Sequence, residues 1–164
     1  MALFARLKVD PDLTRLIGRS AVLAVGATAA GQVVATTDSL WFASDAGWQR
    51  QPWHLITHGG WDGAGHRLHW RDRDQASVSL ELTETGRLPD VFNERVTDSI
   101  VVQRVVDLAT SGSAVITARR DLGKADADLD WRVEPAPGTS SAAVDADPIV
   151  ASELARLRAE YDVR

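Results

Sequence analysis

The sequence predicts an α+β fold made mostly of short antiparallel strands, and three observations predict it. Residues 33–70 hold five of the six tryptophans and all four histidines, and turn residues cut them into short runs that suit strands. After Gly86 the apolar spacing changes from two to that of a helix. At Asp147-Pro148 a second helical pattern begins, with a capping carboxylate followed by a proline.

The chain is 164 residues long, enough for one domain that buries roughly 70% of the surface its unfolded form exposes. It contains no cysteine, which excludes disulfides, thiol catalysis and thiolate metal sites and fits a reducing, cytoplasmic compartment. Apolar residues at 45% and charged residues at 25% describe an ordinary globular composition. A net charge of -5 argues against nucleic acid, whose phosphates are gathered by a cationic surface. Residues 20–37 carry no charged group and include Ala27-Thr28-Ala29, a pattern that resembles a signal cleavage site. The acidic Asp10 and Asp12 upstream, and the Ala, Gly and Thr content in place of leucine, argue against a signal peptide. No apolar run is long enough for a transmembrane segment.

Residues 1–19 read as an N-terminal helical segment. Asp10 caps, Pro11 takes the first helical position, Leu13, Leu16 and Ile17 share a face, and Gly18 ends the turn. This piece is expected to cover a sheet edge, with Leu3, Phe4 and Leu7 ahead of it serving the same end or meeting a partner. Residues 20–99 form the strand-rich part. AVLAV and QVVATT flank a small-residue link, a turn at Asp38-Ser39 leads into LWFA, and Asp45-Ala46-Gly47 turns again. A strand is predicted from Pro52 to Thr57, with Gly59, Gly60, Gly63 and Gly65 breaking the chain before HRLHWR. Beyond the polar turn at 71–75, Val78, Leu80 and Leu82 point inward from a half-buried strand. Pro89 then opens a helix with Val91, Phe92 and Val96 on one stripe and Asp90 at its positive end.

Residues 100–164 are predicted to form a small β-meander and a C-terminal helix, packed with the rest as one cooperative unit. Ile100-Val101-Val102 starts a strand that runs to about Leu108, and Ala114 to Ala118 and Leu129 to Val133 supply two more. Residues 135–146, rich in Pro, Ala and Ser, read as a linker without periodicity. Val150, Leu154, Leu157 and Tyr161 give the last helix its apolar face.

Several of these segments carry a likeness. Ala35-Thr36-Thr37-Asp38 before Leu40, Pro52-Trp53 with Ile56 three residues on, Trp61-Asp62, and Leu88-Pro89 through Arg95-Val96-Thr97 resemble a bacterial pleckstrin-homology-like or GRAM-like domain, in particular a group of small actinobacterial proteins. The likeness spans about residues 20–100. It implies a bent antiparallel barrel or split barrel of two sheets with a helix at one end, a fold that hosts lipid-headgroup binding, peptide binding and structural roles. Members that bind phosphoinositides use basic residues around the first hairpin. Residues 21–37 contain no Lys or Arg, which argues against an inositol-phosphate lipid there.

The candidate chemistry lies in the histidine stretch. Were the strands around the glycine loop to pair as a hairpin, His58 would face His66 or His69 and the three could share a metal ion, with Asp62 or Asp72 as a further ligand. Histidines on a sheet face, hydrogen-bonded or solvated, account for the same pattern. The glycine-rich loop 59–65 is followed by a strand, so it lacks the helix N-terminus that a phosphate cradle uses. Asp126, Asp128 and Asp130 alternate like a calcium loop, but Trp131 stands where that loop needs glycine. No GxSxG or SxxK motif is present, no cofactor is implied, and an enzyme would have to be a hydrolase without a sequence signature. The expectation is therefore a non-catalytic module that binds a protein or peptide, or self-associates, through Trp48, Trp61 and Arg67 and a sheet edge open to strand addition. Small-ligand or metal binding by the histidine hairpin is the alternative.

Overall fold

The computed structural model describes residues 8–163, so the apolar set Leu3, Phe4 and Leu7 lies outside the described residues. The fold is α+β, with antiparallel strands in three sheets and four helices among the described residues. The chain divides into two compact units. One runs to Asp98 and takes in Leu122–Ala125; the other comprises Ser99–Asp121 and continues from Asp126.

The first unit begins with α1 (Pro11–Ile17). The Asp10 carboxylate accepts the Asp12 N–H at 2.8 Å, and Gly18, at φ 65, ends the helix with its N–H on the Thr14 carbonyl. Four strands follow as a meander: β1 (Val22–Thr28), β2 (Gly31–Thr36), β3 (Ser39–Ser44) and β4 (Gly47–Pro52), paired in chain order. Successive residues alternate between its faces. One face presents Val25, Val34, Trp41 and Trp48, and α1 lays Leu13 and Ile17 on it. The helix thus covers a sheet face, where an edge was expected. Leu16, expected on the buried side, is 54% exposed, because only the i, i+4 pair Leu13 and Ile17 reaches the sheet.

The other face of that sheet, with Ala24, Val33, Ala35 and Leu40, contributes to the main core. Facing it are residues of a second meander: β5 (Ile56–Asp62), β6 (Arg67–Asp72) and β7 (Ser77–Glu81), whose inward positions include Ile56, Leu68 and Trp70. Helix α2 (Leu88–Asp98) adds Leu88, Val91 and Phe92. The rings of Trp53 and Phe92 meet edge to face at 5.8 Å, and Phe42 meets Trp70 in the same way at 5.5 Å.

Two sequence expectations fail here. The strand predicted from Pro52 to Thr57 is broken by a 3-10 turn at Trp53–Leu55, which carries the chain from the first sheet to the second. Burial of Trp53 is the reason. Its indole N–H reaches the Thr36 carbonyl at 2.9 Å, while its backbone N–H ends the β3–β4 ladder on the Asp38 carbonyl at 3.2 Å. Gly59 and Gly60, read as chain breaks, lie inside β5, and the reversal falls at residues 63–66, where His66 has φ 50.

The expected barrel is not closed. Strand ladders stay within each sheet, and the first sheet meets the segment after β7 through the isolated bridge between Ala27 and Glu84. Gly26 permits that approach, since a Cβ there would lie 2.5 Å from the Glu84 carbonyl oxygen.

The second unit contains β8 (Ile100–Asp107), β9 (Ser113–Arg119) and β10 (Asp130–Pro135), again an antiparallel meander, with β9 in the middle. Val102, Val106, Ala114, Ile116 and Ala118 on one face form a core with Val144, Val150 and Leu157. The residues read as a linker contain helix α3 (Ser141–Ala146), started by Ser140, whose hydroxyl accepts the Ala143 N–H at 3.1 Å. The helix is held by Val144 in the core with Ala143 packed beside it, an apolar pair that shows no periodicity in the sequence. Helix α4 (Pro148–Tyr161) begins where predicted. One oxygen of the buried Asp147 accepts the N–H groups of Ile149 and Val150 at 2.9 and 3.0 Å, and the other accepts that of Ala109 at 2.8 Å.

Candidate functional site

The sequence-predicted groups fall on three different surfaces. Trp48 is half-buried and packs with the cluster under α1, as does Trp41, whose ring also lies 5.9 Å from the Arg50 guanidinium. Trp61 packs against the main core, and its ring meets that of His66 edge to face at 6.1 Å. Arg67 is exposed on β6 and lies 3.8 Å from Glu81 on β7.

The histidine hairpin forms, but in a register other than the one expected. His58 pairs with Arg71, and His69 pairs with Gly60. His58 and His69 are therefore diagonal neighbours on the solvent face, while His66 sits in the turn, where its left-handed backbone takes it out of the ladder. His54 is in the 3-10 turn. The two carboxylates considered as further ligands are used locally: Asp62 accepts the Ala64 N–H at 3.1 Å, and Asp72 accepts those of Asp74 and Ala76 at 2.9 and 3.0 Å. Among the described residues no group of three His, Asp or Glu side chains is placed to hold a metal ion. A shallow groove of about 550 Å³ does lie over this sheet, lined by His58, His69, Arg71, Ser77 and Ser79.

A different surface stands out in the second unit. β8 is one of the two edge strands of its sheet, β10 being the other, and α4 runs beside β8. Between them lie two adjoining depressions. One, of about 490 Å³, is lined by Arg104, Val105, Asp107, Pro148, Ile149 and Glu153, and the other, of about 380 Å³, by Val101, Gln103, Arg104, Arg156, Glu160 and Tyr161. Large apolar side chains are exposed along this line: Val101 at 38%, Val105 at 65%, Ile149 at 47% and Tyr161 at 43%. Val106 is in the core beneath α4, so its neighbour Val105 points from the opposite face of the sheet. A strand laid along β8 would thus find apolar side chains on both of its faces. Val22 and Leu23, also exposed, lie on β1, whose edge is already engaged at Ala27 by Thr83 and Glu84.

Charges at this groove are held in place. Glu153 on α4 accepts hydrogen bonds from Arg156 at 2.8 and 2.9 Å and from Arg104 on β8 at 3.3 Å. The Arg156 hydrogen bond is the main cause that holds the Glu153 carboxyl down to about 2, and Arg156 is raised in return. Asp147 is held below the usual carboxylate range first by the Ala109 and Val150 N–H groups, which outweigh the effect of burial. Carboxylates depressed in the folded state stabilise it above their unfolded value and lose that contribution as pH falls through the folded one. The second unit should therefore lose stability on acidification from about pH 4.5 to 2, followed residue by residue in the nuclear magnetic resonance signals of β8 to β10. Asp147→Asn should make that loss smaller, and an unchanged acid profile in the variant would contradict the assignment.

No family model, curated protein or solved structure matches this chain. The β8–α4 surface was missed in the sequence, although IVVQRVVD has apolar residues at consecutive positions and so offers them to both faces. That was the available signal.

Proposed function

We propose that this protein is a non-catalytic cytoplasmic module that binds another polypeptide by strand addition, and that its first unit is a pleckstrin-homology-like domain. Two antiparallel meanders of four and three strands followed by a helix support the domain reading. The binding reading is carried by one observation: the edge strand β8, with Val101 and Val105 exposed, beside a groove of mixed lining to which Ile149 and Tyr161 on α4 add further exposed apolar side chains. Main-chain groups of an edge strand hydrogen-bond an added strand without regard to its sequence, and the flanking side chains select which strand is accepted. Natural edges are commonly blunted by charge. Here one of the two charges that β8 brings to the groove, Arg104, is paired with Glu153 on α4, and the other, Asp107, stands at the end of the strand.

The test is a displayed library of extended peptides selected against the full chain. Enriched peptides should alternate apolar and polar residues and should bind the Val105→Lys variant at least about tenfold more weakly. Arg71→Glu, in the groove over β5–β7, should leave them unaffected. Binders that respond to Arg71→Glu and ignore Val105→Lys would move the site to the histidine face and overturn this reading.

A further inference from the structure

We propose that the outward face of the β5–β7 sheet binds a phosphate monoester, held between Arg71 and His58 on one side and His69 and Ser79 on the other. The ladders fix which side chains share that face. His58 lies opposite Arg71, and Arg71 opposite Ser77, which makes one row across the three strands; Gly60, His69 and Ser79 make another. Gly59, Trp70 and Val78 run between them. Trp70 is in the main core, Val78 packs against it, and a Cβ on Gly59 would meet Phe92, so this middle row turns inward and leaves its backbone as a floor. The groove of about 550 Å³ lies over that floor. Two residues of strand separate its walls, roughly 7 Å, which leaves room for one phosphate with a hydrogen bond to each side.

The chemistry of the walls selects the ligand. Arg71, His58, His69, Ser77 and Ser79 can each donate a hydrogen bond, and neither row contains a carboxylate. Acids on this face begin one row further on, with Asp62 and Glu81 flanking Arg67, which is 3.8 Å from Glu81. Asp72, next to Arg71 in sequence, spends a carboxylate oxygen on the N–H groups of Asp74 and Ala76. Among the described residues no carboxylate pairs with the exposed Arg71. Both imidazoles are positioned locally. His58 Nδ1 lies 3.2 Å from the Thr57 hydroxyl. A Cβ on Gly60 would lie 3.5 Å from Cε1 and Nε2 of His69, so that ring leans onto β5, on the strand and face that carry His58. A phosphate monoester offers three terminal oxygens to this set and a carboxylate only two, and a guanidinium can take two phosphate oxygens as a fork.

The experiment titrates inorganic phosphate into the full chain at constant pH and follows backbone amide and imidazole signals by nuclear magnetic resonance. The signals of His58, His69, Arg71 and Ser79 should shift along one saturating curve, and Arg71→Glu should weaken binding at least about tenfold. Arg71→Gln should weaken it in the same direction. Arg15→Glu makes the same change of charge on α1, beyond the first sheet, and should leave the curve unchanged. Arg71 and Arg15 are both exposed, so these variants should fold, with unchanged melts as the check. Vesicles containing phosphatidic acid separate the sources: co-sedimentation that Arg71→Glu abolishes assigns a lipid headgroup, and phosphate shifts without co-sedimentation assign a soluble monoester. Shifts that do not saturate, that sodium chloride reproduces at equal ionic strength, or that persist in Arg71→Glu would overturn the inference. Zinc moving both histidines where phosphate moves neither would also overturn it.

Discussion

Trp53→Ala is expected to destabilise the first unit by about 3–5 kcal/mol. The side chain is fully buried, packs edge to face on Phe92, and turns the chain from β4 into β5. Its removal leaves a cavity between the sheets that Leu40, Ile56 and Leu68, themselves fully buried, cannot fill without leaving their own contacts. It also leaves the Thr36 carbonyl without its indole donor. Trp53→Phe separates the two losses: most of the ring packing is kept, and the missing hydrogen bond should cost about 1–3 kcal/mol. Urea denaturation followed by circular dichroism measures both. A loss below about 1 kcal/mol for the alanine variant would show that the turn is not held by this residue.

The second large effect is expected at Gly59. A Cβ there would lie 2.7 Å from Cζ of Phe92, a ring already wedged against Trp53 and Trp70. Gly59→Ala should therefore cost about 1–3 kcal/mol, the range for overpacking a filled core. Its neighbour is the control. At Gly60 the nearest atoms to a Cβ are those of the His69 ring at 3.5 Å, an ordinary contact, and Gly60→Ala should stay within about 0.5 kcal/mol of the native chain. Thermal melts of the two variants should differ clearly; equal melting points would mean that α2 does not press on β5 as described.

That pair also illustrates what the sequence could and could not convey. Where period-two alternation had one more buried face, as in SVSLE, the strand was legible, as was the β-branched run QVVATT between its turns, and so were α2 and α4, because Pro89 and the Asp147-Pro148 start have local physical causes. Gly59 and Gly60 were read as breaks because a glycine's reason for sitting in a strand lies in what approaches it from elsewhere, here Phe92 from α2. Helix α3 was hidden for a similar reason, since its stability comes from Val144 and the small Ala143 docking on a core that the local pattern does not announce. As for the site, the tryptophans drew attention because they are large, yet Trp41, Trp48 and Trp61 spend much of their surface on packing. Val101 and Val105 look like any sheet residues until the strand is known to lie at an edge.

Backbone amide exchange along β8, read by nuclear magnetic resonance, bears most directly on whether this edge receives another strand. In dilute protein the amides between Val101 and Val105 that do not bond to β9 should exchange freely. They should slow at least about tenfold as a selected peptide is added, while β1 and β7 stay unchanged. Exchange along β8 that is the same under every condition, with slowing at β1 or β7 in its place, would contradict the account.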